Sequence, residues 1–137
     1  MHKPIFLKAL QEILNSNQVL LSNIRLHGIQ IIRNPEIINF VRDRKIPLEV
    51  CPISNYLTQS FKTYPEHPIR KLMQAGIMIT VNSDDPGVFA TTLSDDYQVL
   101  HETHEFTTED FKRRNRIAYE YSFISEKEKS RFRSDFF

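Results

Sequence analysis

Two carboxylates stand side by side at Asp84 and Asp85, directly behind the apolar run Ile77 to Val81 and ahead of Pro86-Gly87. Adjacent negative charges repel, so something must offset them. One offset is ordinary: either side chain can cap a turn or helix that begins at Pro86. The other is chemical: a divalent cation on one carboxylate and a ligand's hydrogen-bonding group on the other would share the repulsion between them. Spacing alone leaves both readings open.

The elements that must position this pair are legible around it. Ile77 to Val81 is β-rich without clean alternation, as in a strand covered on both faces. Before it, His67-Pro68 opens a helix with Ile69, Leu72 and Met73 on one face, and Gly76 ends it. Pro47 to Cys51 reads as another strand, and Pro52 with Ser54-Asn55 as the start of a loop running to about Glu66. Asn34-Pro35-Glu36 supplies an N-cap, a first-turn proline and an acid for a helix through Ile37, Phe40 and Val41. Further back, Ile24 to Leu26 suits a short strand ending at His27-Gly28, and Phe6 to Leu14 an opening helix. Beyond the carboxylates the chain is helical, with expected starts at Ser94, at Thr107-x-x-Asp110 and at Ser125-x-x-Glu128. Strands alternating with helices argue for parallel β/α units, whose ligands meet the C-terminal strand ends. His27, the Cys51-Pro52-Ile53-Ser54-Asn55 segment and the Asp84-Asp85 pair all fall at such ends, on one rim.

Composition narrows the function classes. A chain of 137 residues with a formal charge of +1 is one domain, residues 1–137, with no basic stripe for nucleic acid and no apolar run long enough for a membrane span. Its single cysteine, Cys51, forms no internal disulfide, which favours a reducing, cytoplasmic setting. Cys51 reads as a buried thiol without a neighbouring base. His101 and His104, three apart on a helix beyond the strands, read as surface residues rather than metal ligands, and the FKRRNR and EKEKSRFR stretches as solvated helix faces. Glu49, inside a strand, needs a partner, for which Arg25 and Lys45 are candidates.

The segments LEVCPISNYLT, EHPIRKLMQAGIMITVNSDDPGVFATTLSDDYQ and FTTEDFKRRNRIAYEYSFISEKEK resemble, in order and spacing, those of the adenosine deaminase family. The resemblance implies a (β/α)8 TIM barrel with one Zn2+ at its C-terminal mouth that hydrolyses the 6-amino group of a purine nucleoside. It places the zinc-ligand role on Asp84, the hydrogen bond to purine ring nitrogen N7 on Asp85, and activation of the attacking water on His27. It covers only the last three β/α units plus the C-terminal helices. The family's His-x-His pair and HAGE-like motif do not occur here, so the isolated chain is expected to be inactive and to hold zinc poorly. Open sheet edges point to a missing N-terminal half as partner, or to self-association. The competing readings are a non-catalytic oligomerising α/β module and a deaminase part for another 6-aminopurine, such as adenine or AMP. At Thr58-Gln59 the chain has glutamine where the family often has glycine.

Overall fold

The computed structural model describes residues 28–136, so the expected helix at Phe6 to Leu14, the strand at Ile24 to Leu26 and His27 lie outside the described residues. A 3-10 turn at Gly28–Arg33 buries Ile29 and Ile31. Asn34 then starts helix α1 (Pro35–Asp43) as its sequence dictates. Its side-chain oxygen accepts from the Glu36 and Ile37 N–H groups at 3.0 and 3.2 Å, and Pro35 sits where a helix has no N–H to pair.

Strand β1 (Leu48–Val50) and strand β2 (Ile79–Val81) are parallel, with Leu48 opposite Ile79, Glu49 opposite Thr80 and Val50 opposite Val81. Because strand side chains alternate, Leu48, Val50, Ile79 and Val81 share one face and join Ile37, Val41, Ile69 and Leu72 in the core. Glu49 and Thr80 share the other face. Between the strands lie helix α2 (Pro52–Leu57), a 3-10 turn at Tyr64–Glu66 and helix α3 (Ile69–Gln74). After β2 come α4 (Pro86–Phe89), α5 (Leu93–His104), α6 (Thr108–Glu120) and α7 (Glu126–Phe136). Helix α6 packs on β2 and α5 on α2. Tyr97 stacks on Phe111 with centroids 4.3 Å apart and donates its hydroxyl to Asn115 Oδ1 at 2.6 Å, which fixes α5 against α6.

Two expectations are corrected. Residues from Pro52 form a helix, not a loop, because the cap that starts it is supplied from 43 residues away and leaves no local signature. The N-cap of α5 is Thr92 rather than Ser94: Thr92 and Asp95 satisfy each other's orphan groups in a capping box, which Ser94 is not spaced to do. The boxes at Thr107/Asp110 and Ser125/Glu128 form as expected.

Three successive helices end alike. After α1, α2 and α3 the chain turns through a left-handed residue, Lys45 (φ 53°), Gln59 (φ 58°) and Gly76 (φ 82°). At each, paired hydrogen bonds close the last turn: Ile46 N to Val41 O and Lys45 N to Arg42 O, Ser60 N to Asn55 O and Gln59 N to Tyr56 O, Ile77 N to Leu72 O and Gly76 N to Met73 O. This is the Schellman arrangement. In the first and third, a buried isoleucine follows and the strand begins two residues later, so a structural repeat appears that residue identities conceal. Only Gly76 occupies its left-handed position free of strain, and a Cβ there would also come within 3.0 Å of the Arg42 Cδ. Gly76→Ala is therefore expected to lower stability by ~1 kcal/mol in thermal melting, and Gln59→Gly, restoring the residue the family favours, to leave it unchanged or raise it by a few tenths.

Candidate active site at the strand ends

Both strands run at their C-terminal ends straight into short helices: β1 through Cys51 into α2, and β2 through residues 82–85 into α4. The two turns enclose a cavity of about 350 Å³, lined among others by Glu49, Cys51, Asn82, Asp84 and Leu93. Asn82 is braced from within β2, its amide donating to Thr80 Oγ1 at 2.9 Å.

Asp84 is held by the first turn, where Ser54 Oγ donates to Asp84 Oδ2 at 2.7 Å. Asp84 sits at φ 61°, a left-handed conformation that costs a non-glycine residue about 1 kcal/mol and persists only where surroundings impose it. Asp85 does something different: its Oδ1 accepts from the Val88 N–H at 3.1 Å as N-cap of α4. The repulsion within the pair is thus met on one side by a helix N-terminus and on the other by a serine hydroxyl. The structure brings Asp84, Ser54 and Cys51 together and leaves Asp85 beside them; His27 is outside the described residues.

Burial pushes the Cys51 thiol up to about 12, with the charges of Asp84, Asp96 and Glu49 adding to the shift. It stays protonated and serves as a packing group, neither nucleophile nor ligand. Among the described residues no three His, Cys, Asp or Glu side chains cluster as a metal site. The donor set at the cavity therefore fits one corner of a zinc site, the Asp84 carboxylate, and not a whole one.

Two remote residues fix α2, which carries Ser54. Asp96, fully buried on α5, accepts from the Ile53 N–H at 2.9 Å through Oδ1. His67 binds the other side. Its Nδ1 accepts from the Ile69 N–H at 3.1 Å, so the ring proton is on Nε2, which donates to the buried Asn55 Oδ1 at 3.3 Å. Burial, with the neighbouring His104, lowers His67 to about 3, so it is neutral. His101 Nδ1 donates to Phe106 O and His104 Nε2 to Tyr64 O. Both are tethers.

The sequence pattern described as "Adenosine deaminase" matches residues 12–136. The chain belongs to the adenosine deaminase family. An adenosine deaminase of Plasmodium vivax is 44% identical to it over 111 residues, 81% of this chain and 31% of the relative. An adenine deaminase of Arthrobacter aurescens has a TM-score of 0.74 with it at 27% identity, over 80% of this chain and 33% of the relative. An amidohydrolase of Burkholderia ambifaria, solved with bound Zn, shares the fold with a TM-score of 0.71 at 24% identity, over 84% of this chain and 32% of that one. This member of the adenosine deaminase family thus spans about a third of the length of the relatives it matches. Its helices and two-stranded parallel sheet correspond to part of their barrel. Sequence reasoning places Ser54 in this deaminase-family chain only on the rim and assigns Asp96 no role at the mouth. Neither link, Ser54 to Asp84 or Asp96 to Ile53, has a sequence signal, because each spans 30 residues or more.

Proposed function

We propose that the chain supplies the last strands of a barrel that hydrolyses adenosine to inosine and ammonia, the C6–N bond breaking as water adds its oxygen to C6. The Ser54–Asp84 contact carries this reading. A carboxylate at a strand end, in a strained conformation and fixed by a neighbouring hydroxyl, is what a metal ligand with an outer-shell support requires. Asp84 would be one ligand of a zinc ion whose other ligands come from further strands. Zinc, when bound, lowers the pKa of water from 15.7 to about 7 and so supplies hydroxide at neutral pH.

The chain's own residues then have separate tasks. Ser54 holds Asp84 in place. Asp85 would bond the purine N7; since N7 brings a lone pair and no proton, a proton must be shared between it and a carboxyl oxygen, and Oδ2 is the one the cap does not use. His27 would assist the attacking water. The open edges of the sheet, to which the strand expected at Ile24 to Leu26 would also belong, would pair with the remaining β/α units of the barrel.

Supplying those units tests the proposal. The chain is co-produced with the portion of the Plasmodium vivax adenosine deaminase outside the matched region, and deamination of adenosine, adenine and AMP is followed by ultraviolet absorbance. The expected result is turnover of adenosine by the pair and by neither part alone. Turnover of adenine instead, as the name of the Arthrobacter aurescens relative suggests, would move the substrate within the 6-aminopurines. A soluble pair inert toward all three would refute the catalytic reading in favour of an oligomerising module.

A further inference from the structure

Helix α2 begins without a local cap. Cys51 at its N-cap makes no side-chain capping hydrogen bond, and Pro52 has no N–H, so the Ile53 N–H is the first donor the helix must satisfy. Asp96 satisfies it from α5, across 43 residues. That carboxylate is fully buried, and its second oxygen, Oδ2, has no hydrogen-bond partner among the described residues. A serine or threonine at position 51 would cap the helix locally, without burying a carboxylate. The arrangement has a geometric consequence that a local cap lacks. Segments 51–55 and 84–96 are joined at two rungs, Ser54 Oγ to Asp84 Oδ2 at 2.7 Å and Ile53 N to Asp96 Oδ1 at 2.9 Å, on consecutive residues of α2. With Asn55 held from the other side by His67, these two rungs set the angle of α2 against the strand ends.

We propose that Asp96 is a positioning residue of the mouth, holding α2 so that the Ser54 hydroxyl meets the Asp84 carboxylate. Its effect on chemistry rests on the reading of Asp84 given above; its effect on α2 does not. The single thiol of the chain offers a probe independent of activity, because Cys51 lies at the N-terminus of α2 and is only 4% exposed. If α2 swings away, Cys51 becomes accessible, which speeds its reaction with a soluble disulfide reagent.

The labelling rate of Cys51 is measured in the full chain at one pH for wild type, Asp96→Ala, Asp96→Asn and Ile38→Ala, the last a core substitution in α1 that controls for general loosening. Asp96→Ala is expected to label at least tenfold faster than Ile38→Ala when the two are compared at equal distance below their melting temperatures. Asp96→Asn, whose amide oxygen can still accept from Ile53, is expected to stay within about threefold of wild type. Equal rates for Asp96→Ala and Ile38→Ala would overturn the proposal, as would Asp96→Asn labelling as fast as Asp96→Ala. In the co-produced pair, kcat should fall in Asp96→Ala and Ser54→Ala alike, with KM unchanged and the double variant no worse than Ser54→Ala. An inactive pair would refute the catalytic reading, while the labelling result would still decide the role of Asp96.

Discussion

Asp96→Asn is expected to make the full chain more stable at pH 7 and more acid-labile than wild type, and His67→Gln to reverse the acid response. Asp96 is raised to about 6, chiefly by burial and secondarily by Asp95, against the pull of the Ile53 N–H. Its folded form therefore binds a proton that the unfolded form has released between pH ~4 and ~6, and stability falls as pH rises through that window, by on the order of 3 kcal/mol. His67 has the opposite sign. Lowered to about 3 by burial and by His104, it stays neutral when folded while the unfolded chain takes up a proton below pH ~6.5. Stability therefore falls as pH drops toward 3, by about 5 kcal/mol over the window.

Where the windows overlap the two slopes cancel, so these groups leave wild type nearly flat between pH ~4 and ~6. Asp96→Asn removes the first and exposes the second: its melting temperature should lie ~10 °C above wild type at pH 7 and fall steeply on acidification. His67→Gln, though less stable throughout for lost packing, should gain stability from pH 7 to pH 4. Melting curves at pH 4, 5, 6 and 7 check both. Parallel pH profiles for wild type and Asp96→Asn would show that Asp96 does not titrate as its burial dictates.

Asp84→Ala should be the most damaging substitution at the mouth. In the co-produced pair it removes the carboxylate assigned as zinc ligand, and kcat/KM is expected to fall about a thousandfold or more, a loss of ~4 kcal/mol in transition-state stabilisation. Ser54→Ala, which leaves the carboxylate but frees its Oδ2, should cost only ~10–100-fold in zinc affinity. Asp85→Ala should keep its zinc and lose rate and substrate binding, while also weakening the cap of α4 by ~1 kcal/mol. A ranking with Asp85→Ala losing zinc and Asp84→Ala keeping it would exchange the roles of the two acids. Metal analysis alongside steady-state kinetics separates these outcomes.

How much of this was legible in the sequence depends on the range of each interaction. Asn34-Pro35-Glu36, Thr107-x-x-Asp110 and Ser125-x-x-Glu128 announce helix starts because each cap closes within four residues, and Gly76 announces a stop because glycine alone takes a left-handed φ without strain. Lys45 and Gln59 end their helices in the same way and gave no signal, since tertiary packing imposes there a conformation their residue types disfavour. The sequence of helix α2 reads as loop for the complementary reason: its cap, Asp96, is remote. At the mouth, turn chemistry offers a cap at Pro86 from either acid and leaves the choice open, whereas the grip of Ser54 on Asp84 exists only once two strands lie in register. The family resemblance pointed to Asp84 and Asp85 without disclosing that grip.

The central claim is that Asp84 forms one corner of a zinc site which other strands complete. A crystal structure of the co-produced pair grown with zinc tests it most directly. The account predicts an Asp84 carboxylate oxygen about 2.0–2.2 Å from the ion, with Oδ2 still held by Ser54. Asp84 turned to solvent, with zinc bound entirely by residues of the other polypeptide, would contradict it.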